Sequence, residues 1–167
     1  IYVFSACILN SNFLIARCKE VVMSKQTEAL YEKTIEVRWA DCDANQHMRH
    51  SAYSDLCAHT RVAFLNEIGM TAKWFKQHNV GPVLFKEETE YKAEVNIGDE
   101  LRVTVEPGEP TGFTKTVQML QNIYKANGEL SAVHRCVVGW MDLEARKIIE
   151  LPEKIKELYL IEALVEV

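Results

Sequence analysis

Between Ser51 and Ile68 apolar side chains recur every three to four positions, through Tyr53, Leu56, Cys57, Thr60, Phe64 and Ile68, with Ala52, Ala58, Val62, Ala63 and Leu65 widening the arc. Most of the other patterned segments read as strands. A chain with one long, largely buried helix and several strands has to lay that helix against a sheet, which narrows the choice of architecture at once. Ser51 is the expected N-cap and Gly69 the stop.

The flanking segments carry a different period. Tyr31, Ile35, Val37 and Trp39 alternate with Glu32, Glu36 and Arg38, as in a half-buried strand. Thr71 to Gln77 can add a helical turn or two before Asn79-Val80-Gly81-Pro82 interrupts it. Val83 to Val95 reads as a long strand rich in Glu and Lys, and Asn96-Ile97-Gly98-Asp99 as a turn. Leu101, Val103 and Val105 alternate cleanly with Arg102, Thr104 and Glu106. Thr114 to Tyr124 and Glu129 to Asp142 flank Lys125-Ala126-Asn127-Gly128, whose Asn-Gly pair favours positive φ and a tight hairpin. Pro152 opens a short last helix running to about Leu160. Strand, long helix and four strands make an α+β domain with an antiparallel sheet, and a sheet covered by one helix invites pairing with another copy.

With 167 residues, 48% of them hydrophobic, the chain suits a single domain with a substantial core. A net charge of −5 without a dense Lys/Arg stripe argues against nucleic-acid binding. Cys7, Cys18, Cys42, Cys57 and Cys136 are odd in number and show no C-x-x-C spacing, which points to a reducing, cytoplasmic setting. The apolar run near Ile1 is too short for a membrane span and lacks the charge order of a secretory signal. Residues 1–22, before Met23, are set apart as an extension, and residues 23–167 are taken as the domain.

The chemistry concentrates in Arg38-Trp39-Ala40-Asp41-Cys42-Asp43-Ala44-Asn45-Gln46-His47-Met48-Arg49-His50-Ser51-Ala52-Tyr53. Two acids and two histidines there lie between a strand and a helix N-terminus, where acid/base groups meet N–H donors without intrahelical partners. Asp41-x-Asp43-x-Asn45 opens like a calcium loop, but Gln46 stands where the turn needs Gly and Ala52 where a bidentate Glu is required. A zinc site from His47, His50 and Asp41 has no second ligand cluster behind it. The bland reading is that the acids and Asn45 make Asx-turns and caps while the histidines are ordinary surface residues.

Trp39-Ala40-Asp41-Cys42-Asp43, followed by His47, His50 and Tyr53 entering a long helix, resembles the N-terminal motif of hotdog-fold acyl-CoA thioesterases of the 4-hydroxybenzoyl-CoA thioesterase type. The resemblance implies a hotdog fold, an antiparallel five-stranded sheet wrapped around one long central helix. It implies hydrolysis of an acyl-CoA thioester to free acid and CoA, with Asp43 as catalytic base or nucleophile and the His50 backbone N–H as donor to the thioester carbonyl. His47 resembles the His of a Gly-His-Val variant, with Gln46 in place of the Gly. Asp41 reads as a loop brace and Tyr53 as packing. The helical His59 and Glu67 are weaker candidates.

The family's basic cluster for CoA phosphates is reduced here to Lys115, so CoA is held by other cations or the acyl carrier is a protein arm. The resemblance further implies a homodimer, or a tetramer of dimers, with sites at the interface. No metal or cofactor is expected, CoA being part of the substrate. Two other readings are a non-catalytic acyl-CoA-binding hotdog module and a hotdog hydratase or dehydratase, which would need an Asp/His pair set for proton transfer on the acyl chain.

Overall fold

The computed structural model describes residues 29–159. In chain order these form β1 (Tyr31–Glu36), a 3-10 turn (Trp39–Asp41), α1 (His50–Glu67), α2 (Ala72–His78), β2 (Val80–Tyr91), β3 (Glu100–Pro107), β4 (Thr116–Lys125), β5 (Leu130–Asp142), β6 (Lys147–Ile149) and α3 (Glu153–Leu158). The strands make one antiparallel sheet in the order β1-β3-β4-β5-β2, with β6 added to β5. The long β2 lies at an edge, which is why it can include Pro82, a residue with no N–H for a second neighbour.

The sheet's inner face is built by period-two alternation. Leu101, Val103 and Val105 of β3 and Val117, Met119 and Ile123 of β4 are buried against α1 and its surroundings. Each fully buried side chain of this size contributes about 1.5–3 kcal/mol of transfer free energy. Two apolar clusters result, one holding Ala52, Tyr53 and Cys57 of α1 and the other holding Phe64 and Leu65. Between them along the helix lies a polar layer of Thr60, Gln121 and His134, each wholly buried.

Several boundaries differ from the sequence reading. The helix starts at His50 with Arg49 as its N-cap, so Ser51 is not the cap; the Arg49 guanidinium bonds the Ser51 hydroxyl and leaves it no role on the first N–H groups. Gly69 ends this stretch as expected, at φ +81°. Thr71 caps α2, its hydroxyl accepting from the Trp74 N–H at 3.2 Å. Trp39 does not continue β1: it enters the 3-10 turn and is 82% exposed. β2 begins at Val80 and stops at Tyr91, leaving Lys92 to Val95 outside it.

At the Asn127-Gly128 turn only Gly128 takes positive φ, +85°. Asn127 instead uses its side-chain oxygen to accept the Glu129 N–H, and the register of β4 on β5 shifts at Ile123/Tyr124. Among the described residues the strand total is six rather than five, because Asp142 to Lys147 turns back through Arg146, at φ +54°, and adds β6.

Candidate functional site

The motif forms a small closed loop at the end of the sheet where β3 begins. Val37 N–H bonds the Asp99 carbonyl at 2.9 Å, Met48 N–H the Val95 carbonyl at 2.7 Å, and Cys42 pairs with Met48 across the loop. His47 pairs with Asn96. The turn closes through Gln46 N–H to the Asp43 carbonyl at 3.0 Å and Asp43 N–H to the His47 carbonyl at 2.9 Å, with Gln46 at φ +66°. A residue with a Cβ is disfavoured there, so Gln46 occupies a position that suits Gly.

The two acids have separate surroundings. Both Asp41 oxygens are taken by Arg38, with Nε to Oδ2 at 2.9 Å, Nη2 to Oδ1 at 2.9 Å, and the Arg38 backbone N–H to Oδ2 at 3.0 Å. The Asp41 carbonyl accepts the Arg49 N–H at 2.9 Å, joining the 3-10 turn to the helix cap. The Arg38 hydrogen bond, ahead of charge attraction, holds the Asp41 carboxyl below its ordinary pKa. Asp41 is thus tied to Arg38 through its carboxylate and to the helix cap through its carbonyl. Asp43, at the exposed tip, accepts the Asn45 N–H at 2.8 Å through Oδ1 and has no ion-pair partner among the described residues.

His50 is the first residue of α1, so its N–H has no intrahelical acceptor, and it sits at the positive end of the helix dipole. It lines a hollow of about 380 Å³ with His47, Met48, Tyr53, Tyr91, Lys92 and Glu94. His47 Nε2 lies 3.2 Å from Glu94 Oε2. Tyr53 is buried and packs edge-on against Tyr91, ring centroids 5.1 Å apart; burial raises its phenol pKa, opposed by a hydrogen bond with Ser131. Asp43 lines a neighbouring hollow of about 690 Å³ with Trp39, Ala40, Cys42, Ala44, Gln46 and Ile97. The loop thus brings His47, His50 and Tyr53 to one hollow and turns Asp43 to another beside it.

Lys115 does not join them. It precedes β4 at the end opposite Lys125, a ten-residue strand away, or about 30 Å at the usual rise. There it pairs with Glu150 at 3.0 Å and lines a third hollow with Phe85, Phe113 and Ile148. His59 and Glu67 are exposed on α1 and line none of the three hollows.

Tyr91, Lys92 and Glu94 were not singled out from the sequence. They reach this hollow because the end of β2 and the stretch that follows it come back beside the start of α1, a long-range contact with no local signature. Cys57 is buried, and that burial pushes its thiol up to about 12. Among the described residues no group of three or more His, Cys, Asp or Glu side chains is placed to hold a metal ion, and no helix is long and apolar enough to cross a membrane.

Residues 37–158 match the thioesterase-like superfamily. No curated protein matches the chain. Among solved structures, a Staphylococcus aureus hypothetical protein in complex with CoA aligns at TM-score 0.72 and 20% identity over 78% of this chain and 84% of its own. A 1,4-dihydroxy-2-naphthoyl-CoA thioesterase from Synechocystis aligns at TM-score 0.69 and 16% identity over 78% and 95%. A gentisyl-coenzyme A thioesterase, BH1999, aligns at TM-score 0.67 and 16% identity over 75% and 99%. At these identities the likeness shows the hotdog fold.

Proposed function

The chain belongs to the thioesterase-like superfamily, and from that premise we propose that it hydrolyses an acyl-CoA thioester to a free acid and CoA. The observation that carries the reading is the contrast between the two acids: Arg38 occupies Asp41, whereas Asp43 keeps a carboxylate with no cation on it among the described residues, at the rim of a hollow and one turn of loop from the helix N-terminus. A module that only bound a thioester would gain nothing from such a carboxylate.

In this reaction Asp43 removes a proton from water as the water oxygen attacks the thioester carbonyl, or attacks that carbon itself and is later released by water. The carbonyl electrons move to an oxyanion facing the His50 N–H and the dipole of α1. Collapse breaks the C–S bond. The leaving thiolate, whose parent thiol has a pKa near ~8.5, needs no strong acid and takes up the proton afterwards. The side chains, backbone and water suffice, so turnover is expected to survive a chelator.

We further propose that two copies assemble, since Asp43 and His50 face adjoining hollows in one chain and β2 is an edge strand among the described residues. Residues 23–167 are taken as the catalytic domain. The free thiols of Cys42, Cys57 and Cys136 suit a reducing, cytoplasmic setting. The structures of a protein holding CoA and of two aryl-CoA thioesterases support CoA as the carrier. Free-thiol release from a panel of acyl-CoAs tests the proposal. Thiol appearing in step with free acid upholds it; binding without release would favour an acyl-CoA-binding module, and hydration of an enoyl-CoA a hydratase.

A further inference from the structure

Two large apolar side chains stand in solvent around the loop that carries Asp43. Trp39 is 82% exposed and Ile97 47% exposed, and both line the hollow of about 690 Å³ that Asp43 faces. A single exposed apolar residue is ordinary. Two on the walls of one hollow, with a carboxylate on the same walls, have the make-up of a ligand site, apolar surface with a few placed polar groups.

The backbone under both side chains is tied down. Trp39 opens the 3-10 turn, where its carbonyl accepts the Cys42 N–H at 3.2 Å and the bonds of Arg38 to Asp41 close the turn. Ile97 sits in the turn before β3, where the Asp99 carboxylate accepts the Asn96 N–H at 2.9 Å and Gly98, at φ +79°, donates to the Val37 carbonyl at 2.9 Å. Val37 donates in its turn to the Asp99 carbonyl at 2.9 Å. The segments that carry Trp39 and Ile97 are thus bonded to each other, and walls placed before a ligand arrives lower the cost of binding it.

Charge decides which half of a thioester the hollow takes. Among the described residues no Lys, Arg or His lines it, and Asp43 is its one carboxylate. The phosphates of CoA would meet a negative charge there with nothing to offset it. A carbonyl carbon within reach of Asp43 bears two substituents, the sulfur of CoA and the acyl chain, so the acyl chain is the part that lies against Trp39 and Ile97. An acidic acyl group is disfavoured for the same reason. None of the lining residues belongs to β2, the strand proposed for pairing with a second copy.

We propose that Trp39, with Ile97 opposite it in sequence and beside it in the hollow, determines acyl-group specificity, and that the preferred thioester carries an uncharged, apolar acyl group of several carbons laid on the indole. An indole offers more apolar surface than any other side chain for such a contact. The assignment rests on the hydrolase reading, which supplies the carbonyl beside Asp43.

The test compares the full chain with Trp39→Ala, Trp39→Phe and Ile97→Ala on acetyl-CoA, hexanoyl-CoA and adipoyl-CoA, the last two equal in length and differing in a terminal carboxylate. The wild type should favour hexanoyl-CoA over both others. Trp39→Ala should lower kcat/KM for hexanoyl-CoA by about 10-fold, the worth of one to two methylene groups losing their apolar contact, and leave acetyl-CoA within about twofold. Trp39→Phe should keep most of the preference. Ile97→Ala should lose part of it in the same direction, and decides the matter if Trp39→Ala does not fold. Equal losses on hexanoyl-CoA and acetyl-CoA, whether or not light scattering shows a changed oligomeric mass, would make Trp39 a contact of the fold or of a second copy and overturn the proposal. No loss on either, or a wild-type preference for adipoyl-CoA, would overturn it too. If the wild type releases thiol from none of the three, the hydrolase reading has failed on its own. Calorimetric Kd values for the same thioesters then decide, a Trp39-dependent preference for hexanoyl-CoA upholding the site and its absence overturning it.

Discussion

Asp41 and Asp43 stand two residues apart, and what separates them is Arg38. A carboxyl held below its ordinary pKa in the folded state adds stability that is complete above about pH 4 and is lost as pH falls through the lower, folded value. Asp41→Asn should therefore lower the Tm at neutral pH, modestly because Arg38 is largely solvent-exposed, and the gap to wild type should close under acid. A gap that stayed constant to pH 2 in thermal melts would contradict the brace. His134 gives the same sign over another window. Burial, then the Arg61 charge, lowers its folded pKa from the usual 6.5 to about 4, so its contribution is present above pH 6.5 and lost on acidification toward pH 4. His134→Gln, whatever it costs at pH 7, should flatten the stability profile between those values in denaturant titrations.

At the scale of elements, the start of α1 sets what His50 can do. A backbone N–H survives side-chain truncation, so His50→Ala should keep measurable turnover, losing about 10- to 100-fold if the ring also orders water. His50→Pro removes the N–H and should cost far more, although Pro is tolerated in the first turn of a helix. An Ala variant as inactive as the Pro variant, with helix content intact by circular dichroism, would make the ring the proton-transfer group. The turn before the helix makes a second prediction: Gln46→Gly relieves a left-handed Cβ worth about 1 kcal/mol, partly offset by glycine's freedom in the unfolded chain. Stability should be unchanged or slightly raised, and a loss of more than about 1 kcal/mol in a urea titration would contradict this.

The elements were legible where one face is buried, because alternation along β3 and β4 and the three-to-four period of α1 follow directly from which side chains meet the core. Ser51 failed as a cap because the Arg49 side chain claims its hydroxyl, an interaction that spacing does not reveal. Trp39 continued the alternation of β1 on paper, but the bonds of Arg38 to Asp41 bend the chain into a 3-10 turn first. The short β6 has only three residues and depends on Arg146 in a left-handed conformation, with no glycine to announce it.

For the whole molecule, the motif from Trp39 to Tyr53 was readable as a candidate site because its residues are close in sequence. Its completion by Tyr91, Lys92 and Glu94, and the distance to Lys115, depend on how the sheet folds the chain back. The account's central claim, that the carboxylate of Asp43 drives thioester hydrolysis, is tested most directly by steady-state free-thiol release from one acyl-CoA by Asp43→Asn. This near-isosteric change keeps the Asx-turn acceptor and removes the charge. The account predicts that kcat falls by orders of magnitude with thermal stability and acyl-CoA affinity little altered. Turnover near that of the wild type would contradict it.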